Sequence, residues 1–209
     1  MKKRIAKTFI FAVIAAAPFL WTSILTVNGT GGWSTAGIEL LIFPILLVFI
    51  IWLLLSIIRM IQFLARKGQA ENEGRSSPIT LGIVIGGVLG ILVGGELRMY
   101  GFELAAERAA PLIEAIESYA HDNSKPPATL DALVPNYLIE LPAKLPPLEI
   151  VTDSQQLSEY GDNPWALTSL VSRWIMNWDR FIYFPDQAYP TRGFGGGLER
   201  VGAWAYVHE

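Results

Sequence analysis

Three long apolar runs constrain the fold of this chain more than any other feature of its sequence. They cover about residues 8–27, 38–58 and 78–97. Each run is close to the roughly 20 helical residues that cross the hydrocarbon core of a bilayer. The sequence therefore predicts a transmembrane anchor of three helices within residues 1–98. Residues 99–209 are mixed in polarity and predict a separate domain outside the hydrocarbon core.

The distribution of lysine and arginine predicts how this anchor is oriented. The N-terminus carries Lys2, Lys3, Arg4 and Lys7, and the loop after the second run carries Arg59, Arg66, Lys67 and Arg75. The loop between the first two runs, residues 28–37, has neither residue type. Because basic loops stay on the cytoplasmic side, the N-terminus is expected to be cytoplasmic. The C-terminal domain is expected to be extracytoplasmic.

Glycines recur at a spacing of four along the third run and form a candidate interaction surface. They are Gly82, Gly86, Gly90 and Gly94. This spacing places them near one helix face, where small residues let a second helix backbone approach closely, as in a glycine zipper. Two interpretations remain open. The face packs either against another span of the same chain or against a second copy or partner helix.

The segment after the third run predicts an amphipathic helix. Its apolar positions, spaced by three and four, are Ala105, Ala109, Leu112, Ile116 and Tyr119. The opposite stripe holds Glu103, Glu107, Glu114, Glu117 and His121. Pro111 removes one helical hydrogen bond and predicts a kink or a restart. The acidic stripe is interpreted as a solvated face, with a cation site as the alternative.

The rest of the chain predicts a short helix and a small antiparallel sheet. Thr129 can cap a helix over Leu130–Val134. The strand candidates are Ala166–Met176, Arg180–Phe184 and Val201–Val207, with Glu149–Thr152 as an edge strand. The glycine-rich stretch Gly193–Gly197 lacks the Lys-Ser/Thr of a phosphate-binding loop and is interpreted as a connection. The expected fold class is an α-helical membrane anchor with an α+β outer domain.

Residues 105–142 resemble a known family. The features that carry the resemblance are the helix Ala105–Tyr119, the turn at Pro126-Pro127, the stretch Thr129–Pro135, then Tyr137-Leu138 and Leu141-Pro142. They resemble the start of the periplasmic domain in type II secretion pseudopilins and type IV pilin-like proteins. They also resemble uncharacterised bacterial membrane proteins with the same unit. The resemblance implies a long helix on a small sheet, in a protein of the bacterial inner membrane. Pilins have one N-terminal span, so it implies the fold and not assembly into a pilus.

Composition narrows the classes of function. The net charge of −3 gives no basic field for nucleic acid, and the lack of cysteine excludes thiolate metal sites. Neither His121 nor His208 has a second histidine at metal-ligand spacing. No catalytic residue, cofactor or metal is therefore predicted. The expected function is a non-catalytic accessory or scaffold subunit, whose partners are the lipid bilayer and other membrane subunits or a second copy. A stand-alone sensor or binding protein is the alternative, and an enzyme is the third class.

Overall fold

The computed structural model describes most of the chain and divides it into two compact units. The described residues are 2–34, 50–51, 54–55, 58, 78–153, 157, 163–172, 177–189 and 197–208. The first unit is Met1–Trp21 with Gly37–Gly95, and the second is Thr22–Ala36 with Glu96–Glu209. The second unit contains the predicted outer segment 99–209. It also takes in the end of the first helix and the loop that follows.

Two of the described helices, rather than the predicted three, are long and apolar enough to cross a membrane. They are α1 (Lys2–Asn28) and α2 (Pro78–Arg108), both with a mean hydropathy of 2.1 over the candidate span. The second predicted span, 38–58, lies mostly outside the described residues. Within it, the described residues are helical and exposed: Ile50, Ile51, Leu54, Leu55 and Ile58.

Within the first unit, α1 and α2 contact each other through glycines. A Cβ atom added at Gly90 would lie 2.8 Å from the Cα of Ala16, which is far inside van der Waals contact. Added Cβ atoms at two further glycines would also collide with the α1 backbone. The matched positions are Gly82 with Thr8, Gly86 with Ala12, and Gly90 with Ala16. Because the numbers rise together along both helices, the two helices run parallel.

In the second unit the helical segment breaks and restarts where the proline predicts it. α2 ends at Arg108, and α3 (Ala110–Asn123) begins directly before Pro111. Proline is tolerated in the first turn because the N–H that it lacks has no helical partner there. A one-turn 3₁₀ helix over Leu130–Leu133 follows, at the position where the sequence predicted a short helix. Thr129 precedes it but makes no side-chain capping bond.

A five-stranded antiparallel sheet completes the α+β fold. Its strands are β1 (Glu149–Val151), β2 (Ala166–Leu170), β3 (Arg180–Tyr183), β4 (Leu198–Val201) and β5 (Trp204–Val207). The order across the sheet is β1-β2-β3-β5-β4.

Two strand predictions differ from the structure. β2 ends at Leu170, and residues 173–176 of the longer predicted strand lie outside the described residues. The predicted strand Val201–Val207 is instead the end of β4, a turn at Gly202-Ala203, and β5. Gly202 has φ +61°, a conformation that glycine adopts without steric cost. A two-residue hairpin with glycine first is a common connection between antiparallel strands.

The sheet buries both faces, and the larger core lies on the helix side. The Phe181 and Trp204 rings stack at 4.5 Å, and the Phe102 ring of α2 lies 4.8 Å from Phe181. Burial of each such side chain contributes about 1.5–3 kcal/mol. A smaller cluster covers the opposite face, as the period of two along a strand requires. Its members are Leu157, Ala166, Ile182, Phe184, Ala205 and Val207.

The loop after α1 belongs to the core of the second unit. Gly29, with φ +67°, ends the helix, and its N–H donates to Thr26 O at 3.0 Å. The Thr30 N–H donates to Leu25 O at 3.0 Å, which completes a Schellman motif. The chain then turns so that the Trp33 ring lies 5.6 Å from the Phe102 ring.

Candidate functional site

An open cleft of about 580 Å³ lies in the second unit between the helices and the β4–β5 turn. One wall carries the side chains of Glu103 and Glu107 from α2 and Glu114 from α3. The other wall comes from the sheet, with Tyr183, Trp204 and the turn at Gly202-Ala203. This volume is within the range of about 300–1,000 Å³ that is usual for ligand pockets. We call this feature the acidic cleft.

The three glutamates give the acidic cleft its charge. All three are exposed, and the structure gives their carboxylates no hydrogen bond or ion pair with any described residue. Between them the helix wall is apolar, with Ala106 and Ile113. Carboxylates above an apolar wall favour a ligand with both a positive charge and apolar surface.

Tyr183 forms part of the sheet wall and stays a neutral phenol at physiological pH. Burial raises the pKa of its hydroxyl, and the negative charge of Glu117 raises it further. A neutral phenol can donate a hydrogen bond without adding to the negative charge of the glutamates. Glu117 itself is exposed and does not line the cleft.

The β4–β5 turn is fixed by two side chains, so that this wall of the cleft has a defined position. The Tyr189 hydroxyl donates to Ala203 O at 2.6 Å, and burial raises the pKa of Tyr189 to about 12. The Arg200 guanidinium lies 3.9 Å from the centre of the Tyr189 ring and donates to Gly202 O at 3.1 Å. A cation over an aromatic face is attracted by the ring quadrupole.

A buried arginine fixes the helix wall. Arg98 of α2 is 4% exposed, and its Nη1 donates to Gly32 O at 2.6 Å. Its Nη2 donates to Trp33 O at 2.6 Å and to Val171 O at 2.7 Å. The guanidinium thus connects α2, the loop after α1 and the end of β2. These three hydrogen bonds offset part of the cost of burying the charge.

Asp179 and Tyr206 complete this buried polar cluster. The Tyr206 hydroxyl donates to an Asp179 carboxylate oxygen at 2.7 Å, and Asp179 is itself buried. Burial raises the pKa of the Tyr206 hydroxyl, while the positive charge of Arg98 opposes that shift. We infer that this buried cluster positions the elements that form the cleft.

The four glycines predicted as interaction residues belong to the first unit and are not among the residues that line the cleft. Gly82, Gly86 and Gly90 face α1 of the same chain, and Gly94 is also buried. This geometry corresponds to the first of the two interpretations, packing within the chain.

The structure places only part of the predicted acidic stripe along the cleft. Glu103, Glu107 and Glu114 line the cleft, while His121 is exposed elsewhere on α3. His208 lies 3.6 Å from Glu199 at the sheet edge. In the part of the chain that the structure describes, no group of three or more histidine, cysteine, aspartate or glutamate residues is placed to hold a metal ion.

Sequence reasoning missed the residues that organise the second unit. Arg98 follows the third apolar run directly, and Trp33 is the one aromatic residue in a loop of small residues. A charged residue at a span end and a lone tryptophan in a short loop were the available signals. Neither signal indicates that Arg98 bonds to Trp33, because the two residues are 65 positions apart in the chain.

The chain was compared with protein families, curated proteins and solved structures, and none of them matches. The resemblance of residues 105–142 to pseudopilins therefore stays a prediction.

Proposed function

We propose that this chain is a non-catalytic, membrane-anchored accessory or scaffold subunit of a membrane complex. Its acidic cleft binds a basic segment of a partner protein. The observation that carries this proposal is the set of three exposed carboxylates, Glu103, Glu107 and Glu114, along a cleft with an apolar wall. The pseudopilin-like pattern of residues 105–142 is consistent with a domain that binds other proteins.

The helix pair supports the membrane anchor. The outward faces of α1 and α2 carry large apolar side chains, such as Phe9, Val13, Leu89 and Leu92, which lipid can cover. The apolar run 38–58 is long enough for a third span between these two helices in the sequence. With the basic residues inside, the second unit lies outside the cytoplasm, in a bacterium at the inner membrane.

The shape of the acidic cleft favours a segment of a protein as its ligand. Lysine and arginine have long apolar stems that can lie along Ala106 and Ile113 while the charged head reaches a carboxylate. The cleft is open along its length, so a partner chain can enter without any movement of the walls. Complementary charge would speed association and select against acidic partners.

A stand-alone sensor of a small cationic molecule is the second candidate. The volume of about 580 Å³ is enough for a ligand of ordinary size. The two functions differ in the ligand that occupies the cleft, and one experiment can separate them.

The test is photo-crosslinking from the cleft of the full-length chain in its native membrane. A photoreactive residue replaces Ala203, which is exposed and lines the cleft. We expect an adduct with a second protein, and we expect Glu107→Gln with Glu114→Gln to reduce it several-fold. Glu117→Gln is the matched control, because Glu117 is exposed on α3 outside the cleft, and it should leave the adduct unchanged.

Two other results would change the conclusion. An adduct that is insensitive to the glutamate substitutions would contradict binding through the acidic cleft. Absence of a protein adduct, together with a thermal shift of the purified chain by a polyamine such as spermidine, would favour the sensor. That shift should disappear in the Glu107→Gln/Glu114→Gln variant.

A further inference from the structure

Two exposed apolar side chains lie at one end of the β2–β3 hairpin. Leu170, the last residue of β2, is 50% exposed, and Trp178, just before β3, is 55% exposed. Leu170 pairs with Arg180, and the Val171 N–H donates to Asp179 O at 2.7 Å. The exposed leucine and tryptophan therefore lie on either side of this hydrogen bond between the two chain segments. We call Leu170, Val171, Trp178 and Asp179 the hairpin end.

Arg98 fixes the position of the hairpin end along α2. Its Nη2 donates to Val171 O at 2.7 Å. Arg98 follows Leu97, the last residue of the apolar run 78–97, within the same continuous helix. The hairpin end therefore lies level with the point at which α2 changes from apolar to polar sequence. Tyr100, two residues further along α2, is 50% exposed.

We propose that the hairpin end lies in the interfacial layer of the bilayer, with Leu170 and Trp178 in contact with lipid. This inference rests on the membrane anchor proposed above. Tryptophan and tyrosine are enriched at membrane interfaces, where an amphipathic ring meets both water and apolar chains.

The contact with lipid would give the second unit a further support. Arg98 and the loop around Trp33 connect the unit to the helix ends by hydrogen bonds. The hairpin end would add a second point of contact with the membrane surface, which limits rotation of the unit. Interfacial tryptophans anchor helix ends in the same physical way.

The chain has no cysteine, so single labels can be introduced without a background. Trp178→Cys carries a nitroxide in the full-length protein, in nanodiscs of phosphatidylcholine and phosphatidylglycerol. Collision rates are measured with oxygen, which concentrates in lipid, and with a water-soluble nickel chelate. Val93→Cys is the lipid control, and Ser118→Cys, on an exposed position of α3, is the water control.

The expected result is a label at position 178 that collides with nickel several-fold less than the label at 118. Its oxygen-to-nickel ratio should lie between those of 118 and 93. A nickel collision rate equal to that at 118 would overturn the inference, since water would then surround the hairpin end. Low collision rates with both reagents would also overturn it, because protein from a second copy or a partner would then cover the position.

The control at Val93 separates this inference from the anchor on which it rests. If 93 prefers oxygen and 178 does not, the hairpin end is not at the interface but the anchor stands. If 93 itself shows no preference for oxygen, α2 is not in lipid and the proposed anchor fails. Because Trp178 is exposed, the substitution should not change the melting temperature, and that measurement checks that the variant is folded.

Discussion

In the first unit the contacts between helices are made by the smallest side chains, and the largest apolar side chains point outward. Gly86 and Gly90 admit the α1 backbone, while Phe9 and Leu92 are exposed. In the second unit the arrangement is reversed. Phe102, Trp204 and other large side chains are fully buried, and the helix surfaces carry glutamates.

The membrane anchor that we propose accounts for this difference by two solvents. Water drives large apolar groups into a core, and the gain grows with the apolar area that is buried. Lipid gives no such drive, so helices associate through close backbone packing at small residues. The two units should therefore respond to different substitutions. The second should be sensitive to loss of a buried partner, and the first to added volume at a glycine.

The largest expected effect is in the second unit, at Arg98. Arg98→Met removes the donors of three main-chain oxygens and the positive charge of a buried cluster that also contains Tyr206 and Asp179. Removal of one partner from a buried charged cluster costs about 3–5 kcal/mol. We expect a large fall in the free energy of unfolding of the second unit, measured by near-ultraviolet circular dichroism during urea denaturation in detergent.

Arg200→Met is the matched control for that substitution. Arg200 is exposed, and it donates to Gly202 O in the β4–β5 turn and to the Gln187 side chain after β3. Its loss should cost less than about 1 kcal/mol, the range of exposed cation–π pairs. Equal effects of the two substitutions would show that the bonds of Arg98 are not what organises the unit.

The next effect is in the first unit, at Gly86. A Cβ atom there would lie inside the Ala12 backbone, so Gly86→Leu forces the helices apart. Overpacking of this kind costs about 1–3 kcal/mol. We expect weaker resistance to sodium dodecyl sulfate and a lower level in the membrane, with the monomer destabilised.

Gly87→Leu gives the comparison, because a Cβ atom at Gly87 meets nothing within 4 Å. This neighbour should tolerate leucine and leave monomer stability unchanged. If Gly86→Leu abolished an oligomer while the monomer stayed stable, the glycines would bind a second chain. That result would replace packing within the chain as the explanation of the stripe.

Local signals predicted the elements of this molecule better than they predicted its tertiary contacts. The helix restart at Pro111 and the edge strand at Glu149–Val151 follow from residues close in sequence. The roles of Trp33 and Arg98 depend on contacts between positions far apart in the chain. Such contacts produce no periodic pattern in the sequence. The division of Val201–Val207 by Gly202 was missed because the alternation of the run concealed a two-residue turn.

The same limit applies to the acidic cleft. The spacing of Glu103, Glu107 and Glu114 predicted one helical stripe, and these three members of the stripe line the cleft. The second wall of the cleft comes from Tyr183 and Trp204, about 70 to 100 positions away in the chain. No pattern within the helix indicates which strand lies opposite, so a solvated face and a cleft wall look alike in the sequence.

A further effect is a pH dependence confined to the second unit. Burial raises the pKa of Tyr206 above its ordinary value of 10.0 and the pKa of Tyr189 to about 12. Above pH 10 the unfolded chain loses these protons first, so that stability is full below pH 10 and falls as the pH rises. Each group contributes about 1.4 kcal/mol per pH unit within its window. Urea midpoints between pH 8 and 11.5 should decline accordingly.

Tyr206→Phe sharpens that test. The variant loses the bond to Asp179 and should be less stable at pH 8 by about 1 kcal/mol. Its decline above pH 10 should be shallower than that of the natural chain, because one titrating group is gone. An unchanged slope would show that Tyr206 is not held in its protonated form by the fold.

The central claim is that α1 and α2 cross a membrane and hold the second unit outside the cytoplasm. Lys3→Cys and Lys125→Cys, both at exposed positions, are single cysteines in a chain that has no others. A membrane-impermeant maleimide is added to intact spheroplasts. We expect rapid labelling of the cysteine at position 125, and labelling of the cysteine at position 3 only after permeabilisation. Labelling at 3 and protection at 125 in intact spheroplasts would contradict it.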